Sequence, residues 1–177
     1  IADLTLGADG GTGLNGGAVT GTYSGGIRTE GNNSTGLIAQ SIGAGGGDVR
    51  LSELGANAIT LGATNGATGN GGAVTITNTG DIVTLGTSSH GVLLQSIGGG
   101  GGAVFGADLG GVVLSDGGIG DGGAIRFNQT GNITVMGDQS YGVIAQSIGG
   151  GGGWVDGQFS GTAGGQGAGG TIDLNLG

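Results

Sequence analysis

Hydrophobic residues come along this chain in short bursts of alternating pattern. Ala73-Val74-Thr75-Ile76-Thr77 alternates apolar and polar positions, Gly80-Asp81 interrupts it, and Ile82-Val83-Thr84-Leu85 resumes it before Gly86. After Ser88-Ser89-His90-Gly91 comes the run Val92-Leu93-Leu94-Gln95-Ser96-Ile97, which ends in glycines. Period-two alternation with β-branched side chains over four to six residues predicts strands, and glycine supplies the corners between them. Weaker strands are predicted at Ile59-Thr60-Leu61 and Val112-Val113-Leu114. No stretch keeps a 3.6-residue period for ten positions, so no helix is expected.

The pattern recurs. Residues 16–43, 71–98 and 122–149 align without a gap, and twelve of their 28 positions are identical in all three copies. Each copy opens on Gly-Gly-Ala and closes on Gln-Ser-Ile-Gly, and a partial fourth begins at Gly169. Block starts lie 55, 51 and 47 residues apart, so all length variation falls in the spacers 44–70, 99–121 and 150–168. Fixed blocks joined by variable segments predict stacked units with loops of free length. The expected fold is all-β: one continuous, right-handed parallel β-helix (β-solenoid) over residues 1–177, with about two coils per repeat. The expected inward positions are Val19, Val74 and Ile125 on the first strand and Ile27, Ile82 and Ile133 on the second. On the third they are Ile38 with Ile42, Leu93 with Ile97, and Ile144 with Ile148. That choice places Gln40, Gln95 and Gln146 on the same side, where each buried amide needs a partner such as the next coil.

Composition narrows the reading. Glycine supplies 53 of 177 residues, charged residues 8% and aromatics 3%, with no proline, cysteine or lysine. Such a chain lacks the large side chains of one compact core, yet its Ile, Leu and Val clusters exceed what a linker needs. The net charge of −9, with only Arg28, Arg50 and Arg126 as cations, argues against nucleic acid and anionic lipid as partners. Zero cysteine removes disulfides and thiolate metal sites. No apolar run reaches the ~18 residues of a helical membrane span. Ile1 lies inside a strand-like stretch and Gly177 follows another, so an internal piece of a longer chain is expected.

The run Gly142-Val143-Ile144-Ala145-Gln146-Ser147-Ile148 with Gly149 to Gly153, preceded in each copy by a Gly-x-Ile element, resembles the passenger repeats of large Gram-negative autotransporters. Gly71-Gly72-Ala73-Val74-Thr75-Ile76-Thr77-Asn78-Thr79-Gly80 is similar to the same family's linking strand, while the first copy departs with Ala44 inside its glycine run. The resemblance covers nearly the whole chain. It implies a parallel β-helix exported and displayed at the outer membrane, often adhesive; the family's membrane-inserted translocator has no counterpart in these residues.

Candidate chemistry is sparse. His90, the sole histidine, stands where the other copies carry Thr35 and Tyr141, and no partner for catalysis or metal binding appears at a defined spacing. Asp108, Asp116 and Asp121 sit in glycine-rich sequence, where turn duty outweighs glycan cleavage. Gly45-Gly46-Gly47-Asp48-Val49-Arg50-Leu51 is a weak likeness of a calcium nonapeptide without tandem copies, and Gly-x-Gly-x-x-Gly matches arise by chance at this glycine content. Thr20, Thr22, Thr75 and Thr77 suggest a hydroxyl array, which Arg126 and Asn128 interrupt. No catalytic, cofactor or metal residue is therefore expected. Gln40, Ser41, Ile42, Gln95, Ser96, Ile97, Gln146, Ser147 and Ile148 are expected as the repeated scaffold. Trp154 and Phe159 either cover a spacer cluster or form a surface contact for sugar or a neighbour. The function expected is a structural or adhesive rod on a Gram-negative cell surface. Its partners would be a host or neighbouring cell, a glycan or another copy. A filament subunit is the alternative and a polysaccharide-acting enzyme the remotest option.

Overall fold

A computed structural model describes residues 4–6, 12–45, 48–50, 59–63, 65–101, 103–105, 112–113, 118–151, 153–155, 158–160 and 165–177. These residues form strands, turns and bridges, with no helix among them. The first repeat contributes β2 (Val19–Tyr23), β3 (Ile27–Thr29), β4 (Leu37–Ile42), β5 (Asp48–Arg50) and β6 (Ile59–Leu61), preceded by β1 (Leu4–Leu6). The second contributes β7 (Val74–Asn78), β8 (Ile82–Thr84), β9 (Val92–Ile97), β10 (Ala103–Phe105) and β11 (Val112–Val113). The third contributes β12 (Ile125–Gln129), β13 (Ile133–Val135), β14 (Val143–Ile148), β15 (Gly153–Val155) and β16 (Gln158–Ser160), and β17 (Ile172–Leu176) opens the fourth.

Each strand pairs with its equivalent in the next repeat. Ladder I is β2-β7-β12-β17, ladder II β3-β8-β13, ladder III β4-β9-β14, ladder IV β5-β10-β15-β16 and ladder V β1-β6-β11. Pairing is parallel everywhere except between β15 and β16. The register keeps block positions level: Val19, Val74, Ile125 and Ile172 stack, as do Gln40, Gln95 and Gln146. Because every parallel strand finds its partner one full repeat away, one repeat makes one rung. The expected two coils per repeat are thereby corrected, since the spacer stays within the rung of its own block.

Among the described residues two cores lie on either side of a common wall, beside a smaller cluster of Ala44, Ala63 and Ala67. The first lobe is bounded by ladders I, II and III and filled by Val74, Ile76, Ile82, Val92, Leu94, Ile125 and Phe127, with Val19, Ile27, Ile133, Val143 and Ala145 half-buried around them. Strands I and II point inward as their alternation predicts. The third strand does not: Leu37, Val92 and Val143 with Ala39, Leu94 and Ala145 face this core, while Ile38, Leu93 and Ile144 point away. Leu93 and Ile144 pack instead with Ala103 and Trp154 under ladder IV. Ladder III is thus a wall with apolar contacts on both faces, and all six residues of β9 are buried. Fully burying a Leu or Ile side chain is worth roughly 1.5–3 kcal/mol, so both faces carry energetic weight.

The glycines after Gln-Ser-Ile mark where the chain leaves the wall for the spacer and where it returns. A Cβ on Gly98 would lie 2.5 Å from the Gly120 backbone, one on Gly99 2.6 Å from Gly118, and Gly149 meets Gly167 in the same way. Outgoing and returning backbones touch at this waist, which only glycine permits. Since the spacer departs and comes back at one point, its length does not enter the register of the block. That is the physical reason why 28 residues are fixed while repeats of 55, 51 and 47 residues stack on one another.

Candidate functional site

The residues repeated most faithfully form stitches between rungs. The Ser41 hydroxyl donates to the Gly17 carbonyl at 2.7 Å and accepts from the Gly72 N–H of the next rung at 2.8 Å. Ser96 repeats this between Gly72 and Gly123, and Ser147 between Gly123 and Gly170. A serine oxygen is therefore inserted where two successive opening glycines would otherwise leave a backbone donor and acceptor apart. The first glycine of each opening pair has no room for a side chain beside that oxygen: a Cβ on Gly71 would stand 2.5 Å from Ser96 Oγ. Gly-Gly at one end of the block and Ser at the other are one device.

On the opposite face of the same strands the glutamines make an amide ladder. Gln40 Nε2 donates to Gln95 Oε1 at 2.5 Å, and Gln95 Nε2 donates to Gln146 Oε1 at 2.6 Å. Gln95 and Gln146 are buried, and the ladder supplies the partners that buried amides require. Ile97 is buried and Ile42 and Ile148 half-buried on this face. The Ile97 methyl rests over Gly45 and that of Ile148 over Gly100, so the glycine run also makes space for the isoleucine one rung on.

Turns are stitched similarly. Asn15 Oδ1 accepts from Asn70 N–H, Asn70 Oδ1 from Asp121 N–H, and the Asp121 carboxylate from Ala168 N–H, at 2.9, 2.9 and 2.8 Å. Asp121 is thereby committed to a turn; Asp108 and Asp116 lie outside the described residues. The Asp81 carboxylate accepts from Asn132 N–H at 2.8 Å. Ser89 and Ser140 hydroxyls accept the N–H of Ser34 and Ser89 respectively. Asn33, Ser88 and Gln139 share a left-handed backbone, at φ 55°, 53° and 55°. Sequence alternation could not reveal that column, because no glycine or conserved residue type marks it.

One aromatic cluster departs from the repeat. His90 is buried in the column of Thr35 and Tyr141, and its Nδ1 accepts the Tyr141 N–H at 3.2 Å. Its ring lies 5.5 Å from Tyr141 and 5.8 Å, edge-on, from Trp154, and Tyr141 and Trp154 are edge-on at 5.3 Å. Trp154 is 2% exposed. Of the two readings of Trp154, burial removes the surface contact and leaves the cover over a cluster: the indole packs in the second core with Leu93, Ala103 and Ile144. Phe159 pairs with Trp154 through the backbone of β16, and its side chain lies outside the described residues.

The outer face carries little chemistry. Arg28 and Arg126 form exposed ion pairs with Glu30 and Asp173, at 2.9 and 3.2 Å. A shallow cleft beside the second pair is lined by Ala73, Thr75, Ala124, Ile125, Arg126, Thr171 and Asp173. No group of three metal-ligating side chains occurs among the described residues. What this arrangement does best is hold identical rungs together along the stack, the behaviour of a β-solenoid-like scaffold. Comparison with protein-family models, with curated proteins and with solved structures gave no match.

Proposed function

We propose that the chain is a structural rod segment of a bacterial surface protein, exposed outside the cell as part of an autotransporter-like passenger. The observation that carries this reading is the use made of the repeated residues. Ser, Gln and the opening and closing glycines are spent on joining one rung to the next. A scaffold of this kind gains length by adding rungs and presents its variable segments at intervals along the side. Right-handed winding is the favoured sense, because about 98% of parallel crossover connections within one sheet are right-handed. The autotransporter likeness of the Gln-Ser-Ile-Gly elements supports display at a Gram-negative outer membrane.

Antibody raised against the folded chain tests the location. Labelling of intact, unpermeabilised cells is expected, and labelling only after permeabilisation would sink the surface reading. Adhesion is tested separately with beads coated in the chain, applied to glycan arrays and host-cell layers.

A filament subunit is the second reading, since the level, parallel ladders that join one rung to the next are also the pairing that would join one chain to another. Sedimentation separates the two readings: a mass that grows with concentration favours the filament.

A further inference from the structure

Ladder IV ends differently from the ladders of the first lobe. Its strands β5, β10 and β15 are parallel, one per rung, but β16 pairs antiparallel on the free side of β15, with Gly153 opposite Ser160, Trp154 opposite Phe159 and Val155 opposite Gln158. Adjacent strands stand ~4.8 Å apart, so β16 occupies the fourth level of ladder IV. That is the level at which β17 continues ladder I above β12. The third spacer thus fills, with its own chain, the position that a fourth spacer strand would take.

We propose that the β15–β16 hairpin is a stop strand that ends the second lobe after three rungs while leaving the first lobe able to continue. The inference is independent of where the protein is displayed. A further parallel strand could join ladder IV only by pairing on β16, one level above the rest of its rung. The waist fixes the spacer's exit and return at the level of its own block, so that displacement cannot be absorbed. Strand addition to the block ladders at this end, whether from a following rung or from another chain, is left to the first lobe, at the free sides of β13, β14 and β17.

An independent sequence observation agrees. Asp-Gly between two strands is a strong two-residue hairpin signal, because both turn positions need positive φ. Asp156-Gly157 stands between β15 and β16, whereas Leu51-Ser52 follows β5 and Gly106-Ala107 follows β10. The third spacer therefore differs from the other two where the stop needs it to differ. A strand of three residues with polar Gln158 and Ser160 also makes a short, poor template for further pairing.

Hydrogen exchange on the full chain tests the stop, with Ser160→Pro removing a donor of the Gly153–Ser160 pair and Gly157→Ala weakening the Asp-Gly hairpin signal. The pair next to a two-residue loop is hydrogen-bonded and pairs alternate from there, so the Gly153 and Val155 amides face β16. The sole tryptophan, Trp154, reports through its emission whether the second core remains folded. In the unsubstituted chain, the amides of Gly153 and Val155 are expected to exchange at least tenfold slower than in Ser160→Pro. The same variant should form concentration-dependent oligomers that bind thioflavin T, and Gly157→Ala should do so to a lesser degree. Equal exchange at Gly153 and Val155 in variant and parent, with buried-type Trp154 emission in both, overturns the stop. So does a Ser160→Pro chain that stays monomeric at every concentration while those amides exchange freely. If Ser160→Pro unfolds the lobe, fast exchange of Gly153 and Val155 in the unsubstituted chain alone is sufficient to refute it.

Discussion

In the first lobe every rung is built from the same 28 positions, and its ladders keep them level residue for residue. In the second lobe the rungs share only short strands, the connections shorten from repeat to repeat, and an antiparallel strand closes the stack. Both lean on one wall. The difference shows what register demands. A lobe whose chain must enter and leave at fixed corners needs glycine, serine and glutamine at set places. A lobe that leaves and returns at one point needs only an apolar strand to cover the wall.

The waist is where the two regimes meet, and it offers the largest effect. Gly120→Ala drives a methyl group into the Gly69 carbonyl of the rung below and against Gly99. Relief requires separating two backbones that also carry the Gly69-to-Ile119 and Gly120-to-Gln166 hydrogen bonds. A loss on the order of 4 kcal/mol is expected, at the exceptional end of single substitutions. Gly17→Ala is the control, since a Cβ there meets nothing within 4 Å. Urea denaturation of the pair checks the contrast, and equal midpoints would remove the waist from the account.

The shared wall comes next. Leu93 and Leu94 are neighbours in β9, both fully buried, and they face opposite cores. Each Leu→Ala change should cost about 2–5 kcal/mol. Leu94→Ala is expected to speed hydrogen exchange through ladders I, II and III, whereas Leu93→Ala should speed it at Ala103–Phe105 and Gly153–Val155. Had ladder III been an ordinary wall with one solvent face, Leu93→Ala would change stability by less than about 0.5 kcal/mol.

The serine stitch is smaller. Ser96→Ala leaves the Gly72 carbonyl and the Gly123 N–H without their partner, for about 1–3 kcal/mol. Ser89→Ala, which removes bonds to Gly31 and to the Ser34 N–H at a turn, is expected at the low end of that range. Thermal melts of the two variants rank them, and a milder Ser96→Ala would mean that ladder III needs no stitch.

The strands, the parallel stacking and the amide need of the glutamines were all readable from alternation and repeat spacing. The inward face of the third strand is not readable in this way, because Leu-Ile-Ala-Gln-Ser-Ile has apolar residues on both sides and period two cannot rank two buried faces. The rung count is hidden because residues 44–70 look like enough chain for a coil of their own. The contacts of Gly43 with Gly69 and Asn70, and of Gly69 with Ala44, show that they return to their starting point. Trp154 was set beside Phe159 in sequence, while its partners His90 and Tyr141 come from preceding strand corners that only stacking brings together. The hairpin had a signal, Asp156-Gly157, in plain view; it was lost among the glycines that surround it.

The smallest effect separates the lobes most cleanly. Four glycine or serine residues added within 106–111 lengthen a segment that starts and ends at the waist. Even doubling such a loop costs only about 0.6 kcal/mol in closure entropy. The natural repeats already differ by four residues at a time, 55 against 51 and 51 against 47, with ladders I, II and III in register across the first two and ladder I across the third. The variant should therefore melt within about 2 °C of the parent, given ~2–4 °C per kcal/mol for a chain of this size. The same four residues placed between Gly91 and Val92 would leave β9 unable to meet β4 and β14 while ladders I and II hold their level. Six cross-rung positions on each side would then lose their pairing. If both insertions proved equally harmless, the distinction between a lobe that sets register and a lobe that follows it would have no basis.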